Sequence, residues 1–163
     1  MHPFDDPHSD IEAAASESDY AAVNTLWLAL LKLANLESGQ KEHTRISALL
    51  DRIPEDAIRA IVDSPAVDSL LKLHPPLETV VSHPHERLET AEVKAALEKV
   101  RVSRSSAPRE AMTALGIVLK KIRNKREHGF KTRLGLRDSE ILGPARQLLD
   151  NLCRAAVNAV RLV

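Results

Sequence analysis

Three residues in the last third of the chain combine a permanent positive charge, an amide and a group that titrates near neutral pH. They are Arg123, Asn124 and His128. Arginine stays charged and presents a fork of N–H donors that matches phosphate oxygens. An imidazole can take up or give off a proton near neutral pH, so His128 can act as a general base or acid. Asn124 can orient the phosphate or the imidazole, and the set therefore suits chemistry on a phosphodiester.

Helical spacing decides which of these groups can meet. Asn124 and His128 are four residues apart and share one face of a helix. Arg123 and His128 are five residues apart, which separates them by about 140° around the helix axis. They converge only if the long arginine side chain curls around the helix, or if a two-fold dimer brings Arg123 of one subunit beside His128 of the other.

The pattern Arg123-Asn124-x-x-x-His128 resembles the motif of the HEPN domains, in which an arginine and a polar residue precede a histidine. The resemblance implies an all-helical bundle whose arginine and histidine face each other across a homodimer cleft. It implies metal-independent endoribonuclease activity without a cofactor, through attack of the RNA 2′-hydroxyl, with 2′,3′-cyclic phosphate and 5′-hydroxyl ends. Arg123, Asn124 and His128 are then the catalytic residues. A toxin-like or defensive role, with an antitoxin protein as a possible partner, also follows from the resemblance.

The same residues allow a second interpretation. Arg123 can form an ordinary surface ion pair with Glu127, and His128 can favour the dipole at a helix C terminus. The chain would then be a non-catalytic dimerising interaction module, or a module that binds a nucleotide or RNA. In that case either Arg123 or His128 could be replaced without loss of function.

Charge is divided unevenly along the chain. Residues 101–163 hold 14 of the 23 basic residues and 5 of the 23 acidic ones, so this part carries +9 and the first 100 residues carry −9. A basic region around the motif predicts contact with the RNA backbone, although two such halves can also neutralise each other within a dimer. The predicted RNA-binding residues are Lys120, Lys121, Lys125, Arg126, Lys131 and Arg133. Because exposed aromatic residues are few, strong base specificity is not predicted.

Composition favours helices and a cytoplasmic protein. Aromatic residues make up 2% of the chain, and Leu, Ala and Val dominate its apolar residues. The single cysteine, Cys153, lies in an apolar helical stripe where a small core residue is expected. The first ten residues contain acids and prolines without a hydrophobic run, which argues against a secretion signal. No apolar run approaches the roughly 20 residues that a membrane span needs.

Apolar periodicity predicts an all-α fold of about five to seven helices, closed by two long C-terminal helices. Residues 1–18 are predicted to be a flexible N-terminal segment and residues 19–163 a HEPN-like helical domain. Thr90 is the expected cap of one helix, and the next helix runs into Arg123. The last helix is expected to start near Asp138 or to restart at Pro144, because a proline disfavours helical geometry at the residue before it.

Residues 73–87 form the least regular stretch and are predicted to be a long loop. The loop contains His74, His83 and His85. Histidines at this loose spacing can ligate a metal, but no cysteine or ordered carboxylate pattern accompanies them. Solvated loop histidines are the favoured interpretation, and no metal or cofactor is predicted.

Overall fold

The computed structural model describes residues 6–34, 41–73, 87–128 and 136–161. These residues form eight α-helices and no strand: α1 Pro7–Ala14, α2 Asp19–Leu33, α3 Glu42–Arg52, α4 Glu55–Val62, α5 Pro65–Leu71, α6 Arg87–Ser103, α7 Pro108–His128 and α8 Leu136–Arg161. The predicted all-α fold is confirmed, and so are the two long C-terminal helices. The described residues contain one helix more than the predicted maximum of seven, and the additional helix is α1.

The two long helices α7 and α8 form the centre of the bundle. The most extensive packing joins α8 to α2 and α7 to α6, while α5 packs on α8 and α4 packs on α7. Core positions of α7 recur at helical spacing, and Leu115, Leu119 and Ile122 are each at most 3% exposed. This burial fixes the rotation of α7, and so it fixes where the residues after Ile122 face.

Local sequence accounts for α2, which carries one residue of the site described below. Ser18 is its N-cap, and the Ser18 hydroxyl oxygen accepts a hydrogen bond from the backbone N–H of Ala21 at 3.3 Å. Val23, Trp27 and Leu30 are buried at the predicted helical spacing. Helix α2 packs most extensively on α8 and also contacts α3 and α7.

From Pro7 onward, the segment predicted to be flexible forms helix α1, which packs on α2 and α8. Asp6 caps α1 by accepting from the backbone N–H of His8 at 3.0 Å, and Pro7 occupies the first turn, where its missing N–H costs nothing. Ile11 and Ala14 are 6% and 2% exposed in the core. These two residues lie one turn apart on the face of α1 that packs on α2.

The start of α6 also differs from the prediction. Thr90 lies inside this helix, which begins three residues earlier at Arg87. The intervening residues, Leu88 and Glu89, are good helix formers, and no Gly or Pro interrupts them. Thr90 therefore extends the first turn of α6 and does not cap it.

The last helix begins at Leu136 and runs through Pro144 without a restart. A proline clashes chiefly with the Cβ and N–H of the preceding residue, and that residue is Gly143, which has no Cβ. A Cβ at Gly143 would meet only the Asp19 carboxylate, at 3.7 Å. Pro144 therefore lies inside α8, directly after a residue that has no Cβ to clash with its ring.

Two arginines tie helix ends together. Arg109 donates to the backbone oxygens of Leu50 and Ile53, at 2.9 Å and 2.6 Å, where α3 ends. Arg146 donates to the Asp19 carboxylate at 2.8 Å and to the Ala14 carbonyl at 2.7 Å. Both side chains donate to backbone carbonyl groups at or just after the end of a helix.

Candidate functional site

The last turns of α7 carry the three predicted catalytic residues. The helix continues from Pro108 to His128 without interruption, so Arg123, Asn124 and His128 keep their helical spacing. Ile122, directly before them, is buried, whereas Arg123 and Asn124 are half-buried at the edge of the bundle. The described structure of His128 is limited to its backbone at the end of α7, and its side chain lies outside the described residues.

Arg123 is oriented by two amide side chains. Its Nε donates to Oδ1 of Asn24 at 3.3 Å, and its Nη1 donates to Oδ1 of Asn124, also at 3.3 Å. Neither of these two acceptors carries a charge, so the two bonds fix the orientation of the guanidinium. We call Asn24, Arg123 and Asn124 the amide–arginine cluster.

Asn24 was missed by the sequence analysis. It lies on α2, 99 residues before Arg123, and no local pattern connects the two. The available signal was weak: an asparagine in the interior of a helix rich in Leu and Ala, where asparagine is a poor helix former. Such a residue often has a hydrogen-bonding role outside its own helix.

Two of the six predicted RNA-binding residues have described side chains, and both are in ion pairs. Lys120 Nζ lies 3.9 Å from Oε2 of Glu42, and Lys121 Nζ lies 3.1 Å from Oε2 of Glu92. The side chains of Lys125 and Arg126 lie outside the described residues. Lys131 and Arg133 lie outside them altogether. The two described lysines therefore belong to a surface of alternating charge.

Cys153 is a core residue, as predicted. The side chain is fully buried, and Sγ donates to the backbone oxygen of Leu26 at 3.3 Å. Burial raises the pKa of the Cys153 thiol far above its ordinary value, and the nearby Asp150 carboxylate raises it further. A thiol that stays protonated and buried is a poor nucleophile.

Other site types find no support among the residues that the structure describes. No three His, Cys, Asp or Glu side chains come together there as a possible metal site. His74, His83 and His85 lie outside the described residues. None of the described helices combines the length and apolar character needed to cross a lipid bilayer.

Fold and site together define an all-helical bundle with an arginine oriented by amides at the end of its penultimate helix. No protein-family model, curated protein or solved structure matches the chain.

Proposed function

We propose that this chain is a metal-independent endoribonuclease of HEPN type that cuts RNA at a dimer-interface site. The observation that carries the proposal is the amide–arginine cluster, in which a half-buried guanidinium at the end of α7 is oriented by Asn24 and Asn124. His128 follows on the same helix, five residues after Arg123. The resemblance of Arg123-Asn124-x-x-x-His128 to the HEPN motif supplies the reaction.

RNA provides its own nucleophile for this reaction. The 2′-oxygen attacks the adjacent phosphorus, and the bond from phosphorus to the 5′-oxygen breaks. The proton of the 2′-hydroxyl passes to a base, and an acid protonates the departing 5′-oxygen, so the products are a 2′,3′-cyclic phosphate and a 5′-hydroxyl end. His128 serves in proton transfer. Arg123 stabilises the negative charge that grows on the phosphate oxygens.

A homodimer completes the proposed site. On a continuous helix, Arg123 and His128 point about 140° apart. Arg123 also contacts α2 through Asn24, which holds its side chain on that side of α7. In a two-fold dimer, the histidine of one subunit can lie beside the arginine of the other. The proposal also includes a cytoplasmic, toxin-like or defensive role, with an antitoxin protein as a possible partner.

Cleavage of RNA by the purified protein in the presence of EDTA tests this function. We expect wild-type protein to leave cyclic-phosphate ends. His128→Ala should cut about 10²- to 10⁴-fold more slowly, which is the usual contribution of a general acid or base. Arg123→Ala should cut about 10²- to 10³-fold more slowly, as on loss of a charge-stabilising donor. Arg154→Ala is the matched control, because Arg154 pairs with Asp150 on an exposed face.

Mixing the two inactive variants tests the composite site. If each site takes Arg123 from one subunit and His128 from the other, hybrid dimers contain one intact site, and about a quarter of all sites recover. If each site lies within one subunit, mixing restores nothing. Absence of cutting by folded, dimeric wild-type protein would instead favour the non-catalytic interaction or nucleotide-binding module.

A further inference from the structure

A groove runs along the outer face of α7, between α3 and α6. Its volume is about 380 Å³, within the usual range of ligand pockets. The floor consists of Thr113, Gly116 and Ile117 on α7, and Ile46 and Leu50 of α3 form one apolar wall. Ile117 is 37% exposed, so part of its side chain is available to a ligand. The groove therefore offers an aliphatic surface to a flat or apolar group.

One rim of the groove holds a carboxylate in a fixed orientation. Oε1 of Glu42 accepts a hydrogen bond from the indole N–H of Trp27 at 2.9 Å. The second oxygen, Oε2, lies 3.9 Å from the Lys120 ammonium, which is too long for a direct hydrogen bond. An acceptor and a donor thus lie side by side at this rim, and a ligand can bond to both.

The opposite rim repeats this arrangement on α6. Glu92 and Lys121 both line the groove, and their ion pair measures 3.1 Å. The groove consequently presents acceptors and donors on both sides of an apolar floor. Such a surface suits a flat heterocycle with its own donors and acceptors along the edge, and it suits a purely apolar ligand poorly.

The groove lies one helical turn away from the amide–arginine cluster along α7. Ile117, Lys120 and Asn124 recur at intervals of three and four residues, so they lie in one stripe along α7. Lys120 and Asn124 are one turn apart, about 6 Å along the helix axis. A nucleotide with its phosphate at Arg123 and Asn124 can therefore place its base, or that of its neighbour, in the groove.

We propose that the groove binds a guanine base of the RNA, next to the phosphate that is cut. The inference rests on the proposed function. Guanine combines N–H donors, which suit the Glu42 carboxylate, with the O6 and N7 acceptors that lysine commonly contacts. Uracil lacks an exocyclic amino group, adenine lacks the O6 acceptor, and cytosine is a smaller base than guanine. RNA bases that are splayed out of a single strand are recognised in pockets of this kind.

This inference differs from the weak base specificity predicted from the scarcity of exposed aromatics. The only tryptophan, Trp27, is 2% exposed and does not offer its face for stacking. Its contribution is the hydrogen bond that orients Glu42. Specificity in the groove would come from polar contacts to the base edge, with aliphatic side chains against the ring.

Gly116 permits a variant that fills the groove and leaves the fold intact. A Cβ built at this position has no neighbouring atom within 4 Å. Gly116→Leu should therefore extend a side chain into open space, and leucine favours helix over glycine. Gly116→Ala is the matched control, because it makes the same backbone change and adds one methyl group.

Binding of nucleoside 3′-monophosphates tests the site without requiring cleavage. The emission of Trp27 reports on the groove, since it is the single tryptophan of the chain. We expect guanosine monophosphate to give a saturable change at concentrations about tenfold lower than the other three nucleotides, with inorganic phosphate as the base-free control. Gly116→Leu should abolish the response and Gly116→Ala should keep it. Glu42→Gln, followed by calorimetry, should remove the preference for guanine.

Equal affinity for all four nucleotides, or unchanged binding by Gly116→Leu, would overturn the guanine site. Sequencing the ends of cut RNA then separates an RNA base from a free nucleotide. A bias for guanine at one side of the cut, lost in Gly116→Leu and kept in Gly116→Ala, supports the proposal. Cutting without a bias for guanine overturns the proposal that the groove binds a base of the RNA, and it assigns the groove to free guanine nucleotides. Guanine binding without any cutting overturns the nuclease, and the RNA assignment with it, but leaves the guanine site established.

Discussion

Two arginines reach α2 from the two long C-terminal helices and end on different partners. Arg146 of α8 donates to the Asp19 carboxylate at 2.8 Å and to two backbone carbonyls at the end of α1. Arg123 of α7 donates to the amide oxygens of Asn24 and Asn124, each at 3.3 Å. The first side chain closes a helix junction with short, charge-assisted bonds. The second is directed by longer bonds to neutral groups.

The difference in acceptors separates a structural arginine from a candidate catalytic one. A carboxylate forms short, strong bonds with a guanidinium and compensates its charge. An amide oxygen fixes the orientation of the guanidinium and adds no negative charge of its own. We therefore expect the two arginines to respond to the same substitution in opposite ways.

Replacing each arginine by methionine should produce the largest contrast. Arg123→Met should reduce RNA cleavage by about 100-fold or more, with a loss of at most about 1 kcal/mol in the free energy of unfolding. Arg146→Met should lower the free energy of unfolding by about 2 kcal/mol, since it removes one charge-assisted bond to a carboxylate and two bonds to backbone carbonyls. Cleavage per folded molecule should then stay near the wild-type value. Urea unfolding and RNA cleavage on the same preparations measure both quantities.

The opposite results would contradict the distinction between a catalytic Arg123 and a structural Arg146. If Arg123→Met unfolds as readily as Arg146→Met, the amide–arginine cluster is a structural contact. If Arg146→Met loses cleavage in the folded state, the junction of α1, α2 and α8 contributes to the site.

The fold was largely predictable because burial follows apolar spacing along each helix. Val23, Trp27 and Leu30 of α2, and Ala111, Leu115 and Val118 of α7, recur at helical spacing in the sequence and are all buried. The errors lie where tertiary contacts override local signals. Residues 7–14 contain few apolar residues, yet Ile11 and Ala14 suffice to pack α1 on α2. Pro144 does not stop α8, because Gly143 removes the clash that a side chain would cause.

The site was only partly predictable. Arg123 and Asn124 were identified from local spacing, and they do contact each other. Asn24 could not be found in this way, because its contact with Arg123 depends on how α2 and α7 pack. The same holds for the pairing of Lys120 and Lys121 with Glu42 and Glu92, which converts a predicted basic face into one of alternating charge. Long-range polar contacts of this kind leave no periodic trace in a sequence.

Substitution of Asn24 should produce an intermediate effect. Asn24→Ala removes one neutral hydrogen bond from Arg123 and should lower kcat by about fivefold, which corresponds to roughly 1 kcal/mol. Asn24→Asp keeps the acceptor but adds a negative charge beside the guanidinium. We expect this variant to fold at least as stably as wild type and to cut more slowly, because the carboxylate competes with the phosphate for Arg123.

Thr25→Ala is the matched control on the same helix. The Thr25 hydroxyl donates to the Glu17 carboxylate at 3.1 Å, so this variant also loses one side-chain hydrogen bond. If Asn24→Asp cuts RNA as fast as wild type, the role of Asn24 is to hold α2 against α7. The neutrality of the acceptor is then irrelevant to cleavage.

The smallest expected effect concerns a third arginine, Arg104, which follows the end of α6. Arg104 Nη1 lies 2.7 Å from Oδ1 of Asp68, and this hydrogen bond is the main reason that the pKa of the Asp68 carboxyl is lowered from its ordinary value. A lowered folded-state pKa stabilises the protein above the pKa of the unfolded chain, about 3.9 for aspartate. That contribution is lost as the pH falls through the folded-state pKa.

Asp68→Asn should therefore be slightly less stable than wild type at pH 7, and the difference should shrink once the pH falls below about 3.9. Urea unfolding of both proteins across this range measures the change. The stability difference between wild type and Asn24→Ala should not vary over the same range, because the Asn24 acceptor does not titrate. If the stability difference between wild type and Asp68→Asn stays constant over this pH range, the charge of the carboxylate contributes nothing to stability. Arg104 would then contact Asp68 through a hydrogen bond that only orients the two side chains.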